Sequence, residues 1–284
     1  FDLEAELALR VGQDAIKEQL RAFKHEVMLD ARRRELGMEV GEATFPHMLF
    51  LGPPGCGKTS MARLVAQILS SIGGGAASKH LVEAQRASLV AGVIGATAIK
   101  TREVLKFAKG GVLFVDEAYR LAPPGSEKDY GREAVDELMS EMERGDPVMI
   151  FAGYNDDTMK EFMRLNPGIF RRVQRVFEFT RFSAEELAQI TITKAESKRF
   201  SVGGALEALG VPELAAIYMR HTSEAQRANM NGGMVDSVLR AAKRHLDRRM
   251  GVESTLEELS TYRAEDFVKA CADLPKAELL ETPA

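Results

Sequence analysis

Apolar residues recur along this chain in two rhythms. From residue 3 to 36 they fall at helical spacing within a charged background, with Leu3, Leu7, Leu9 and Val11 followed by Ile16, Leu20, Phe23 and Val27. The pattern predicts two helices split at Val11 and Gly12. Short unbroken apolar runs then alternate with helical stretches: a strand near 47–51, a helix over 57–71, a loop through Gly73, Gly74 and Gly75, a strand near 80–85, a helix near 95–108 and a strand over 111–115. That is the βαβ rhythm of a parallel sheet. Residues 121–126 read as a loop by composition, a helix follows over about 130–144, and further strands are expected at 148–153 and 173–179. After Thr180 the pattern is helices only. Ser183 and Glu186 form a capping box, and Pro212, Met234 and Thr261 lie near later helix starts. The expected organisation is a helical segment at 1–46, a large α/β domain at 47–180, a small all-helical domain at 181–275 and a frayed tail at 276–284.

One motif changes the picture. Gly52-Pro53-Pro54-Gly55-Cys56-Gly57-Lys58-Thr59 has the form G-x-x-x-x-G-K-[ST], between a predicted strand and a predicted helix. Four such fixed positions arise by chance in roughly one chain in a hundred of this length. The glycines let backbone N–H groups turn toward phosphate oxygens, and the helix directs the positive end of its dipole at them. Pro54, Gly55, Cys56, Gly57, Lys58, Thr59 and Ser60 are therefore the expected nucleotide-contacting positions, with Lys58 on the β- and γ-phosphates and the Thr59 hydroxyl on Mg²⁺. A second run, Gly111-Val112-Leu113-Phe114-Val115-Asp116-Glu117, is a buried-strand pattern that ends in two acids. At the carboxyl end of a parallel strand Asp116 would face the metal ion and Glu117 would polarise a water against the γ-phosphate. Capping of a following helix is the plainer use for two such acids, and the phosphate loop outweighs it.

Bulk properties remove several classes. A net charge of −4 and a pI near 5.9 offer no basic face for nucleic acid or anionic lipid. No stretch approaches the ~20 apolar residues of a membrane span. The expectation is a soluble intracellular protein, cytoplasmic, or in the plastid stroma if an upstream transit peptide has been removed. Cys56 and Cys271 are the two cysteines and suggest neither a disulfide framework nor a metal site. Cys56, in the phosphate loop, is a candidate for oxidative blocking of nucleotide binding, against the simpler reading of a small residue at a tolerant position.

With these motifs placed, the sequence resembles a P-loop AAA+ ATPase module, and more narrowly the family of the red-type Rubisco activase CbbX and the sporulation protein SpoVK. The narrower likeness is carried by 89–98, Lys100-Thr101, 110–119, Asp129-Tyr130-Gly131-Arg132-Glu133-Ala134, Ala152-Gly153-Tyr154 and Asn166-Pro167-Gly168. The resemblance implies a five-stranded parallel sheet flanked by helices, a helical lid, ATP and Mg²⁺ as ligands, and a homo-oligomeric ring, usually a hexamer, with nucleotide between the two domains at a subunit interface. It implies that Val11 and Gly12 form the adenine-side turn, that Asn155 is the sensor orienting the attacking water, and that Arg172 reaches a neighbouring subunit's γ-phosphate. Arg171, next to it, is the alternative finger, and a turn is the plainer use of Asn155.

Two departures stand out. Val93 occupies the position where family members that thread a polypeptide carry an aromatic pore residue. Asn231-Gly232-Gly233 stands where the lid carries a sensor arginine, and Arg240 is about 10 Å further along the helix. The implied function is an ATP-driven remodeller of a protein client, with Rubisco one candidate client. A nucleotide-gated scaffold with slow hydrolysis, and an ATPase module of a larger secretion or assembly protein, are the alternatives.

Overall fold

A computed structural model describes residues 1–40, 45–72, 80–93, 95–123, 129–203 and 209–276. They group into two compact units, one of Phe1–Gly52 with Gly57–Phe179 and one of Pro53–Cys56 with the chain from Thr180 onward. The expected loop through Gly73, Gly74 and Gly75, residues 124–126 of the loop expected over 121–126, and the tail beyond Lys276 lie outside the described residues.

In the first unit, α1 (Leu3–Ala8) and α2 (Asp14–Glu35) precede β1 (His47–Leu51), α3 (Lys58–Ile72), β2 (Leu81–Ala84), the short α4 (Arg86–Leu89), α5 (Ala96–Ala108) and β3 (Val112–Val115). A 3₁₀ turn (Ala118–Leu121) leads to α6 (Gly131–Met142), β4 (Val148–Gly153), α7 (Asp157–Leu165), α8 (Pro167–Arg172) and β5 (Val173–Glu178). The five strands form one sheet in the order β2-β3-β4-β1-β5, and every pairing is parallel. This is the expected α/β sheet. Periodicity does not separate α4 and the 3₁₀ turn, because elements of four residues are too short to carry a helical repeat.

The sheet is covered on both faces, as a parallel sheet requires. All six residues of β4 are buried, which fits its central place. On one face Leu49, Leu113, Val115, Met149 and Phe151 join Leu105 of α5, Leu138 of α6 and Phe162 of α7 in a single core. On the other, Phe50 meets Phe177 and Phe179 with ring centroids 5.0 and 5.2 Å apart, and Phe23 of α2 lies beneath the Arg175 guanidinium at 5.3 Å. Each fully buried Phe or Leu contributes about 1.5–3 kcal/mol relative to exposure.

The second unit holds α9 (Ala184–Ser197), β6 (Ser201–Val202), α10 (Val211–His221), α11 (Glu224–Met230), α12 (Gly232–Arg249), α13 (Leu256–Ser260), β7 (Thr261–Tyr262) and α14 (Ala264–Ala272). It is helical, with Ser183 capping α9 in reciprocal bonds with Glu186. One correction applies: β6 and β7 pair in a two-residue parallel ladder, and Thr261 opens β7 while the helix starts at Ala264. The ladder is tied down by Arg249, which donates to the Thr261 carbonyl at 2.6 Å and pairs with the buried Asp266 at 3.1 Å. Within this core the fully buried Tyr218 shares its hydroxyl with Thr191 at 2.6 Å.

His47 links three elements of the first unit. Its Nδ1 accepts from the Met149 N–H at 3.0 Å, and Nε2 stands 3.1 Å from the Met142 carbonyl, the neutral ring donating there. Burial lowers its pKa below 6.5 against the opposing pull of that carbonyl. The folded state thus binds its proton less readily than the unfolded chain, so stability is full above pH 6.5 and declines as pH falls below it. The slope is at most about 1.4 kcal/mol per pH unit. Thermal melting between pH 7.5 and 5 should show this decline, and His47→Asn should flatten it.

Candidate active site

Parallel pairing brings the carboxyl ends of β1, β3 and β4 side by side. Gly52, just past β1, donates its N–H to the Gly153 carbonyl at 3.1 Å, and Asp116, just past β3, donates to Ala84 of β2 at 2.9 Å. From β1 the chain turns through residues 52–57 directly into the 15-residue α3, so the first N–H groups of that helix face the loop. Lys58 is buried, and its Nζ donates to the Gly52 carbonyl at 2.8 Å and lies 5.8 Å from the ring centre of Tyr154. Thr59 follows it, partly exposed.

Asp116 and Glu117 end β3 as the sequence suggests. Oδ1 of Asp116 accepts from the Glu117 N–H at 3.0 Å. Burial raises the Asp116 pKa, while that N–H and the charge of Lys58 act against the rise. Glu117 has left-handed backbone angles, φ 49° and ψ 46°, an uncommon conformation for a residue with a side chain. Its Oε1 accepts from the Tyr119 hydroxyl at 3.2 Å and pairs with Nη2 of Arg120 at 3.1 Å. The Tyr119 ring lies 5.8 Å from that of Tyr154, so two aromatic rings connect the lysine to the acid. Burial, then the charge of Glu117, pushes the Tyr119 hydroxyl up to about 12.

Other predicted positions are distributed around this centre. Asn155 is exposed just beyond β4 and lines a cavity of about 500 Å³ with Tyr154, Leu49, Leu51, Met159 and Phe170. Arg172, the last residue of α8, donates to the Gly168 carbonyl at 2.8 Å and pairs with Glu143 of its own chain, while Arg171 is exposed. Val11 and Gly12 lie in the turn between α1 and α2, where Gly12 and Gln13 have φ of 67° and 58°. Val93 is 62% exposed. Cys56 is buried, which removes the easy access that an oxidative block requires. Among the described residues no group of His, Cys, Asp and Glu forms a metal cluster, and no helix is long and apolar enough to cross a membrane.

Within the second unit, Pro53–Cys56 meet the start of α12. Asn231 is fully buried at φ 46°; its Nδ2 donates to the Pro54 carbonyl at 3.2 Å and its Oδ1 accepts from the Phe182 N–H at 3.1 Å. The Gly232 N–H donates to the Gly55 carbonyl at 3.2 Å. A Cβ on Gly232 would sit 2.5 Å from that oxygen, so only glycine fits, whereas Gly233 opens onto empty space. The sequence marked this tripeptide as a departure, and the close approach of two backbones is the reason for its central residue.

A model of the AAA family, the ATPase family associated with various cellular activities, matches residues 48–181, and a model of a domain of unknown function matches 181–275. The chain is 35% identical over 277 residues to the chloroplastic ribulose bisphosphate carboxylase/oxygenase activase of Cyanidioschyzon merolae, covering 95% of this chain and 90% of that one. It is 37% identical over 204 residues to stage V sporulation protein K of Bacillus subtilis, covering 71% and 62%. The chain belongs to the AAA family of ATPases. Within it the relatives include proteins named CfxQ, such as that of Xanthobacter flavus at 42% identity over 187 residues, 65% of this chain and 58% of that one. This AAA chain also aligns over 100% of its length with the ESX-3 secretion system protein EccA3 of Mycolicibacterium smegmatis at 34% identity, and spans about half of that protein.

Sequence pattern alone assigns no site role to Tyr119, Tyr154, Arg120 and Asn231. The tyrosines lie within the stretches that carry the family likeness, which was the available signal. Gly232→Ala should lower the melting temperature through an overpacking cost of about 1–3 kcal/mol, and hydrogen exchange should quicken at the amide of residue 232, the donor to the Gly55 carbonyl. Unchanged exchange there would contradict the backbone contact.

Proposed function

We propose that this AAA chain hydrolyses ATP and uses the cycle to remodel a protein client. The observation that carries the reading is the convergence of Lys58, just past β1, with Asp116 and Glu117, just past β3, at the carboxyl end of the sheet beside the N-terminus of α3. Backbone N–H groups of 55–59 and the Lys58 ammonium bind and orient the phosphates. Lys58 exchanges the Gly52 carbonyl for a phosphate oxygen, a stronger charge-assisted bond. Glu117 accepts the proton of an attacking water, and Asn155, exposed beside it in the strand order, orients that water.

The donor set also suits Mg²⁺. Asp116 is a half-buried carboxylate whose charge is made costly by desolvation, and a cation next to it relieves that cost. Thr59 and Asp116 would hold the ion, which when bound neutralises charge between the phosphates.

Ring assembly and the adenine-side role of Val11 and Gly12 come with the family reading. Arg172 serves a neighbouring copy in this proposal, leaving Glu143 to do so; Arg171, exposed, is the paired control. The exposed aliphatic Val93 gives a smaller grip on a threaded chain than an aromatic would. Rubisco is a candidate client because of the activase among the relatives. The second reading, a nucleotide-gated scaffold, draws on the open space at Gly233, where a lid arginine is missing.

Steady-state ATP turnover against protein concentration tests these together. Turnover per chain should rise with concentration, Glu117→Gln should lower it by about 10²-fold or more, and Lys58→Ala should lose nucleotide binding. Arg172→Ala should bind but not hydrolyse, and mixing it with Glu117→Gln chains should restore part of the activity. Binding without turnover at every concentration would favour the scaffold.

A further inference from the structure

The carboxylate of Glu117 is held by its own turn. Tyr119 and Arg120 both engage Oε1, and both belong to the 3₁₀ turn that Glu117 begins. The direction of the carboxylate therefore follows the placement of that turn.

Arg86, the first residue of α4, fixes the turn from outside. Its Nη1 donates to the carbonyls of Arg120 at 2.8 Å and Leu121 at 3.0 Å, and its Nη2 donates to both oxygens of Asp129 at 2.7 and 3.0 Å. Asp129 in turn accepts from the Gly131 N–H at 2.7 Å, at the start of α6. Burial works to raise the Asp129 pKa, and the Gly131 N–H together with Arg86 more than offsets it. One planar guanidinium thus serves two carbonyls and a carboxylate, a task a lysine ammonium cannot match in geometry.

Arg86 is itself fixed from behind. Lys100 of α5 donates to the carbonyls of Ala87 at 2.6 Å and Val90 at 3.1 Å, and the buried Thr101 donates to Leu89 at 3.0 Å. The Ala91 N–H donates to the buried Thr97 hydroxyl at 3.0 Å. α4 and the chain up to Ala91 form a braced strut with Arg86 at one end and the exposed Gly92 and Val93 at the other.

We propose that Arg86 is a positioning residue for ATP hydrolysis, holding the turn 118–121 so that the Glu117 carboxylate keeps its working direction. The proposal rests on the ATPase reading above. A clamp that served stability alone would, when weakened, lower the melting temperature without selecting the chemical step.

The experiment measures kcat, KM and Kd for ATP and thermal melting on the full chain, for wild type, Arg86→Lys, Arg120→Ala and Glu117→Gln. Arg86→Lys should lower kcat by about tenfold or more with Kd and KM within about twofold of wild type, which is the signature of an interaction that matters only to the chemical step. Arg120→Ala, changed at a surface position that leaves the Arg86 contacts in place, should also shift kcat several-fold at unchanged Kd. A folded Arg86→Lys chain with wild-type kcat overturns the proposal, as does a loss of kcat that comes with equal loss of affinity and stability. Should Arg86→Lys fail to fold, Asp129→Asn, measured in the same way and loosening the Arg86 clamp from its other end, decides, and an unaltered kcat there overturns the proposal. A wild-type chain without turnover, or an active Glu117→Gln, overturns the ATPase reading and this proposal with it, whereas active wild type, silent Glu117→Gln and unaffected Arg86→Lys overturn this proposal alone.

Discussion

The parallel register of β1, β4 and β3 is the constraint on which the site depends. Leu51 pairs with Gly153, and Val115 with Phe151, so the phosphate loop, the acidic pair and the Tyr154 turn all leave the sheet at one edge. A register slip of one residue would exchange the side chains that face the two covering layers, and with β4 buried along its whole length every one of them would have to repack. The same packing that stabilises the fold therefore aligns the chemistry. It also explains why Gly52 must be close to the Gly153 carbonyl and to Phe179: the loop begins where the sheet is still fully packed.

At that edge one buried and two part-buried charges stand together. Lys58 is buried against a carbonyl and an aromatic face, Asp116 is half-buried with a raised pKa, and Glu117, part-buried beside it, lies between a hydroxyl and a guanidinium. A buried ammonium and a half-buried carboxylate each lack full solvation, which is a state that an anionic phosphate and a cation relieve together. Glu117 is likewise part-buried, and its direction is governed by the hydroxyl and guanidinium of its own turn. The left-handed backbone at Glu117 is part of this geometry, since it turns the chain out of β3 immediately and places Tyr119 and Arg120 where they can reach back. Backbone strain of this kind costs about 1–3 kcal/mol and persists only where the surroundings enforce it.

Much of this was legible in the sequence because it is written in local pattern. The strand-loop-helix around Lys58 and the apolar run into Asp116 and Glu117 need only adjacent residues to be read. The capping box at Ser183 is equally local. What escaped is what depends on distant partners: Arg86 with Asp129, 43 residues apart, Asn231 with Pro54, 177 apart, and the two-residue β6–β7 ladder whose strands are too short to alternate. Arg172 shows the same limit from the other side. The family resemblance marks it as a residue of interest, yet its pairing with Glu143 across 29 positions is invisible to any periodicity.

The tripeptide Asn231-Gly232-Gly233 shows how a departure from a family pattern acquires physical content once its neighbours are known. Read alone, two glycines at a helix start suggest a lost side chain and a weakened function. In the folded chain they answer to different causes. Gly232 is required, because its N–H reaches the Gly55 carbonyl at a separation that excludes any Cβ, and Asn231 accepts an unfavourable positive φ while both ends of its buried amide are satisfied. Gly233 faces open space and is under no such demand. A contact between main chains is insensitive to side-chain identity except for the need to be small, so this segment holds the tip of the phosphate loop by shape and hydrogen bonding where an arginine would act by charge. Such a link is set by backbone position alone, and whatever moves the start of α12 must carry Pro54 and Gly55 with it.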